Sequence, residues 1–77
     1  MTTLTESVPK AVDVWFTDDM LYVLLEDGRE IGVPIEWFSK LAQANPQQRT
    51  KWRMIGGGVG IHWDEIDEDI SVRKLMQ

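Results

Sequence analysis

Residues 21–35 read LYVLLEDGREIGVPI and contain the strongest local structural signal in the chain, the pair Asp27-Gly28. Before this pair, Leu21, Val23 and Leu25 alternate with other residues, which is typical of a half-buried strand. An Asp-Gly pair between two such segments favours a two-residue type I′ turn, because both central positions of that turn need positive φ. The sequence therefore predicts an antiparallel hairpin whose second strand covers residues 29–33.

A further strand is predicted just before this hairpin. Its apolar residues alternate with Asp13 and Trp15, and they are Val12, Val14 and Phe16. Residues 17–19, Thr-Asp-Asp, supply a turn between this strand and the hairpin. The first part of the chain is thus expected to form a three-stranded antiparallel meander.

Helical segments are predicted after the meander. Pro34 cannot donate to a strand ladder but fits the first turn of a helix, so residues 35–44 are expected to be helical. The face of this helix that points to the core is formed by Ile35, Phe38, Leu41 and Ala42. Asn45 then favours a new helix start, with Pro46 in the first turn and Gln48 placed for a capping box. This second helix should run to about Lys51.

A second hairpin is predicted from the glycine-rich stretch at residues 56–58. A fourth strand should precede it, with Trp52, Met54 and Ile55. A fifth should follow, with its apolar face formed by Val59, Ile61 and Trp63.

The last segment contains five carboxylates within residues 64–69, followed by Arg73 and Lys74. Acids before and bases after a short segment match a helix macrodipole, which predicts a short helix at residues 70–76. The β-branched residues Ile70 and Val72 leave a strand as the alternative.

These elements predict an α+β fold. The antiparallel sheet begins with a three-stranded meander. A helix or helix pair follows, then a second hairpin of the sheet and a short C-terminal helix. Residues 1–9 are polar and lack a pattern, so we expect a flexible lead-in there. Residues 10–77 should form a single small domain.

Composition limits the classes of function. The longest apolar run is far shorter than the roughly 20 residues that span a bilayer, and no export signal precedes it. We therefore expect a cytoplasmic protein without a membrane partner. The chain has no cysteine and a formal net charge of −5. This charge makes direct nucleic-acid binding unlikely on electrostatic grounds and favours a basic partner.

The motifs that suggest chemistry have simpler explanations. The glycines at 56–58 lead into an apolar strand, whereas a phosphate-binding loop leads into a helix. His62 and the carboxylates of residues 64–69 offer a candidate metal or ligand site. A single histidine and no cysteine, however, supply too few of the ligands that zinc usually has in proteins. We expect these acids to cap the terminal helix instead. No residues form a nucleophile and base pair, so we predict neither enzymatic activity nor a cofactor.

Aromatic and polar surface residues are the candidates for protein binding. Four tryptophans occur in 77 residues, and two or three of them should fill the core. Trp15 lies on the polar face of its strand, so we predict that it and Tyr22 contact a protein partner. His62, Asp64 and Glu65 complete the predicted protein-binding residues. The basic residues Arg49, Lys51 and Arg53 are expected to be a solvated helix end.

Two segments resemble a known bacterial family, domain of unknown function 2442. They are LYVLLEDGREIGVPI at residues 21–35 and WRMIGGGVGIHWDEIDEDISV at residues 52–72, supported by the helix with Trp37, Phe38 and Leu41. The resemblance covers residues 12–75. One position departs from the pattern, because Asp64 stands where the family is expected to have proline.

This resemblance implies an α+β fold, a cytoplasmic setting and no catalytic residues. Members are often encoded beside a small toxin-like protein, which implies an antitoxin-like role and a small partner encoded nearby, which we expect to be basic. Some members carry a fused helix-turn-helix domain, so a dimeric transcription-regulatory module linked to DNA is the alternative hypothesis. A homodimer is compatible with both, and a metal- or ligand-binding domain is the third hypothesis.

Overall fold

The computed structural model describes residues 8–76, which form six strands and four short helical segments. The strands are β1 (Ala11–Phe16), β2 (Met20–Leu25), β3 (Glu30–Pro34), β4 (Trp52–Ile55), β5 (Gly60–Trp63) and β6 (Glu68–Ser71). The helices are a 3-10 turn (Ile35–Trp37), α1 (Ser39–Gln43), α2 (Pro46–Arg49) and α3 (Val72–Leu75). The lead-in predicted at residues 1–9 lies almost wholly outside the described residues.

The strands form two antiparallel sheets, ordered β1-β2-β3 and β4-β5-β6. The inner faces of both sheets contribute to one hydrophobic core, in which Leu21, Leu41 and Trp63 are fully buried. The predicted α+β class is confirmed, with its meander, helices, second hairpin and short C-terminal helix. The difference is that the strands divide between two sheets.

The predicted alternation is confirmed in β2 but is wrong at the start of β1. Leu21, Val23 and Leu25 of β2 are at most 1% exposed. In β1 a bulge between Ala11 and Asp13 buries Ala11 and leaves Val12 53% exposed, contrary to the prediction. The period of two therefore places the apolar residues of β2 on the core side.

The turn at Asp27-Gly28 is present, but its predicted type is wrong. Among the non-glycine residues from 8 to 76, Asp67 alone has a positive φ, so Asp27 does not meet the requirement of a type I′ turn. Instead, the Gly28 N–H donates to the Leu25 carbonyl, and the Leu25 N–H donates to the Arg29 carbonyl. This is a three-residue loop with Gly28 in the left-handed region at a φ of 94°. Asp27 accepts a hydrogen bond from the Arg29 N–H instead of adopting positive φ.

The predicted helix over residues 35–44 is interrupted. Phe38 has an extended conformation, with φ −121° and ψ 99°, and it separates the 3-10 turn from α1. Because of this break, Ala42 is exposed, contrary to the prediction, and Ala44 is buried instead. Ile35 and Leu41 lie in the core as predicted.

The start of α2 confirms the predicted capping box. The Asn45 side chain accepts from the Gln48 N–H, and the Gln48 side chain accepts from the Asn45 N–H. The helix is shorter than predicted and ends at Arg49. Within residues 8–76, no helix has the length and apolar character needed to cross a membrane.

The second sheet differs from the prediction at both ends of β5. Val59 lies in the preceding turn and is 56% exposed, so it is not part of the apolar face. Ile61 and Trp63 are fully buried as predicted. After Trp63, a turn reverses the chain and leads into β6, a third strand that pairs with β5.

The C-terminal segment contains both predicted alternatives in succession. Ile70 and Ser71 belong to β6, and the helix α3 begins at Val72. The prediction that the acids of residues 64–69 cap this helix is wrong, because they lie in the turn and in β6, and Ser71 is the N-cap residue. Ile70 is buried opposite Ile61, and this packing favours the strand over the helix at residues 70 and 71.

Replacing Gly28 with Val should destabilise the protein by about 1 kcal/mol or more, because a β-branched residue resists positive φ. An added Cβ would meet no atom within 4 Å, so the cost comes from the backbone and not from a clash. Urea unfolding followed by tryptophan fluorescence measures it. The control is Gly28→Asn, which should cost less since asparagine tolerates positive φ. Equal midpoints for the Val variant and the unmodified protein would contradict the turn assignment.

Candidate functional site

Trp15 and Tyr22 form an aromatic stack on the outer face of the first sheet. The two residues are paired across β1 and β2, and their ring centroids lie 5.8 Å apart at an interplanar angle of 14°. Tyr22 is also paired with Gly32 of β3. An ideal Cβ at Gly32 would lie 2.7 Å from Tyr22 Cε1, so the ring lies directly over this glycine. The stack is thus held in place from both sides.

The outer face of the first sheet is apolar around this stack and acidic at one end. Because side chains alternate along β2, Met20 and Leu24 share the outer face with Tyr22, opposite the buried residues. Leu24 is paired with Asp13 on one side and Glu30 on the other. Both acids are exposed. The stack therefore has carboxylates beside it.

Trp15 also borders a groove of about 500 Å³ between β1 and the start of the second sheet. Its lining also includes Pro46 and Trp52 and the charged residues Asp18 and Arg49. Large aromatic side chains from both sheets therefore line one concave surface. A partner side chain can enter such a surface and lose contact with water.

His62 is the centre of a charged cluster on the second sheet. It is paired with Arg53 of β4 and with Asp69 of β6, so three strands each contribute one side chain. His62 Nδ1 lies 2.5 Å from Asp69 Oδ1, and His62 Nε2 lies 3.0 Å from Asp64 Oδ1. Asp64 also accepts two hydrogen bonds from Arg53, at 2.9 and 3.1 Å.

The Arg53–Asp64 ion pair shifts the pKa of both of its members. The hydrogen bonds and charge of Arg53 lower the pKa of Asp64 below its ordinary value of 3.8, and His62 contributes in the same direction. The same pair raises the pKa of Arg53. His62 lies within hydrogen-bond distance of a carboxylate at each ring nitrogen.

The side chains of this cluster are not arranged as a metal-binding site. The two carboxylates lie at opposite nitrogens of one imidazole and do not converge on a common point. From residue 8 to residue 76, no group of three or more histidine or acidic side chains is placed to hold a metal ion. The arrangement is that of a surface salt-bridge network.

The three basic residues near α2 are engaged with neighbouring groups. Arg49 is half-buried, contrary to the predicted solvated helix end, and its Nε donates to the Leu41 carbonyl at 2.9 Å. Lys51 lies 3.6 Å from Glu65, and Arg53 binds Asp64. These residues link helix and sheet elements and do not form a separate basic face.

The five predicted protein-binding residues thus fall into two groups on different sheets. Trp15 and Tyr22 lie together on the first sheet. His62, Asp64 and Glu65 belong to the second sheet and its turn, where Glu65 Oε2 accepts from Gln48 at 3.3 Å. The sequence alone does not bring the two groups into one site, and neither does the structure.

The most exposed tryptophan, Trp37, was missed by the sequence analysis. Its side chain is 68% exposed, whereas Trp63 is fully buried and Trp52 packs against the core. Trp37 falls outside the predicted core face of Ile35 and Phe38. Because Trp37 is not part of the predicted apolar face, the sequence already indicates that its side chain is exposed.

Comparison with known proteins assigns a family. The sequence model of a protein family described as "protein of unknown function (DUF2442)" matches residues 11–77. The chain belongs to this family. The resemblance inferred from the sequence is therefore confirmed. Comparison with curated proteins gives no match.

Two solved structures resemble this DUF2442 domain. A protein of unknown function from Rhodospirillum rubrum has 28% identity and a TM-score of 0.78, covering 88% of this chain and 84% of its own. An uncharacterised protein from Chromobacterium violaceum has 19% identity and a TM-score of 0.75, covering 87% of this chain and 63% of its own. The second likeness concerns the fold alone.

Acid should weaken the DUF2442 domain through Asp64. Since Arg53 lowers the pKa of this carboxyl, the ion pair stabilises the folded state above pH 3.8 and is lost as the pH falls through the lower folded pKa. In Asp64→Asn, urea midpoints should fall less steeply between about pH 5 and pH 2. The effect should be small because the pair is exposed.

Arg53→Gln is the matched variant, because it removes the cause of the shift and leaves the carboxyl in place. It should flatten the same part of the pH profile. Parallel profiles for the unmodified chain and both variants would contradict the assigned ion pair.

Proposed function

We propose that this chain is a small non-enzymatic protein-interaction module, an antitoxin-like partner of a small basic protein encoded nearby. The observation that supports this most directly is the Trp15–Tyr22 stack on the outer face of the first sheet. Both rings are half-buried there, so part of each remains accessible to solvent. Tryptophan and tyrosine are enriched among the residues that dominate binding energy at protein interfaces.

The stack is organised before a partner arrives. Tyr22 lies over Gly32 and against Trp15, so neither ring has to be ordered on binding. Fixing a flexible side chain at an interface costs about 0.5–1.5 kcal/mol, and preorganisation reduces that cost. Rigid rings on a sheet therefore form a favourable contact surface.

The charges around the stack favour a basic partner. Asp13 and Glu30 lie on the same face, and Asp18 lines the adjacent groove. Arg49 also lines this groove, but its guanidinium is bound to the Leu41 carbonyl. An arginine of a partner can bind one of these carboxylates and lie over the tryptophan ring. The net charge of −5 attracts such a partner over longer distances.

The alternative of a DNA-linked regulatory module has less support. Lys51 and Arg53 are paired with carboxylates, and Arg49 is bound to a helix carbonyl. Phosphate binding would have to compete with these contacts. DNA binding is therefore kept as one outcome of the following test.

The test is co-expression with the product of an adjacent small gene, followed by calorimetric measurement of the Kd. Trp15→Ala and Tyr22→Ala should each weaken the complex by about 1–2 kcal/mol, because each removes a buried ring from the interface. Circular dichroism checks that both variants remain folded. Val59→Ser is the control, since Val59 is 56% exposed and lies in the turn before β5.

Unchanged affinity in both aromatic variants would refute the proposed surface. Absence of any complex, together with salt-sensitive DNA binding that disappears in the Lys51→Gln, Arg53→Gln double variant, would establish the regulatory alternative.

A further inference from the structure

The outer edge of β6 is the feature of this fold that the proposed function does not use. Strand β6 is paired with β5 on one side, and within residues 8–76 no strand is paired with its other side. A groove of about 570 Å³ lies beside β6, and it is lined by the residues of β6 together with Trp37, Phe38, Lys74 and Leu75. Trp37 is 68% exposed. The free edge therefore lies beside an accessible aromatic ring.

The hydrogen-bond register shows which backbone groups face this edge. The Val72 N–H donates to the Val59 carbonyl, one position beyond the pairing of Ser71 with Gly60. Hydrogen-bonded and non-hydrogen-bonded pairs alternate in an antiparallel ladder, so Ser71 and Asp69 occupy the non-hydrogen-bonded pairs. Their N–H and C=O groups point away from β5.

Neighbouring side chains already bind part of this edge. The Asp69 N–H donates to Glu68 Oε1 at 3.2 Å, and Lys40 donates to the Asp67 carbonyl at 2.8 Å. The Ser71 carbonyl belongs to the N-cap of α3 and faces the helix. The Asp69 carbonyl and the Ser71 N–H remain, one on each side of Ile70. A single residue of an added parallel strand can bond both of them.

The other sheet edges carry devices that discourage strand addition. Strand β1 has a bulge, β3 ends in Pro34, and β4 carries Arg53 and follows Lys51. Bulges, prolines and cations on edge strands are known protections against unwanted pairing. Strand β6 has neither a bulge nor a proline, and its own charged residues are the acids Glu68 and Asp69. The cations near it belong to other elements, because Lys74 of α3 lines the groove and Lys40 of α1 binds the Asp67 carbonyl.

Among the charged residues that line the groove, the acids Glu68 and Asp69 outnumber the one lysine, Lys74. A second copy of β6 would place four carboxylates along one seam, which like-charge repulsion opposes. A basic strand would instead gain charge complementarity with the same residues.

We infer that the β6 edge and the Trp37 groove form a binding site for an extended basic segment of a protein, which adds as a strand beside β6. Main-chain hydrogen bonds to Asp69 and Ser71 supply affinity, and contacts of alternate side chains with Trp37 and Leu75 supply specificity. This site is independent of the Trp15–Tyr22 stack, so either proposal can fail without the other.

The probe is a short, acetylated and amidated peptide of alternating lysine and valine, titrated into the isotope-labelled chain and followed by NMR. The Ser71 amide should shift and become protected from solvent exchange, because it gains a hydrogen-bond acceptor. A peptide with glutamate in place of lysine should bind at least about tenfold more weakly, a difference of about 1.4 kcal/mol.

The decisive pair of variants is Ser71→Pro and Ser71→Ala. Ser71 has φ −86° and ψ 128°, close to the conformation of proline, and its N–H is not needed for pairing with β5. Proline removes the donor and should weaken peptide binding about tenfold, whereas alanine keeps the donor and should have little effect. Trp37→Ala should also weaken binding about tenfold.

Three results would overturn the inference. They are equal binding by the proline and alanine variants, equal binding of the glutamate peptide, and a Ser71 amide whose exchange does not slow on peptide addition. The exchange measurement uses the unmodified chain, so it decides the question even where Ser71→Pro fails to fold. Concentration-dependent protection of Ser71 without peptide would identify a second copy as the occupant, and would also overturn it.

Discussion

The contact between Ala11 and Gly58 holds the two sheets together. The Ala11 N–H donates to the Gly58 carbonyl at 2.8 Å, which joins the start of β1 to the turn before β5. An ideal Cβ at Gly58 would lie 2.5 Å from the Ala11 oxygen, and φ there is 115°. Only glycine satisfies both conditions. The two sheets also meet through the rings of Phe16 and Trp63, which are T-shaped with centroids 6.3 Å apart, and both sheets share one core.

The local pattern of the chain predicted most strands, because alternation determines which side of a strand is buried. Leu21, Val23 and Ile61 lie in the core for that reason. Strand β6 was predicted only as an alternative, since its sequence begins with two acids and its pairing depends on Ile70 packing in the core. Tertiary contact outweighed the local charge pattern there.

The candidate sites were less predictable, because they depend on register between strands. The sequence indicated Trp15 and Tyr22 individually, but their stacking follows from the pairing of β1 with β2. Likewise, Asp64 was interpreted as a cap of a helix, whereas the turn after β5 places it against Arg53. Side chains distant in sequence meet only after the register is set, so composition alone predicts acidic and aromatic surface without showing which residues act together.

The four sheet edges also differ in how they treat other chains. The bulge in β1, the proline at the end of β3 and the cations at β4 each oppose the addition of another strand, whatever its sequence. At β6 the charged residues of the strand itself are acids, and they outnumber the one lysine, Lys74, in the lining of the adjacent groove. In the proposed strand addition, these carboxylates and the net charge of −5 oppose an acidic chain such as a second copy and favour a basic segment. Charge and edge exposure would then act together in the choice of partner, whereas at the other three edges geometry or cations act against any added strand.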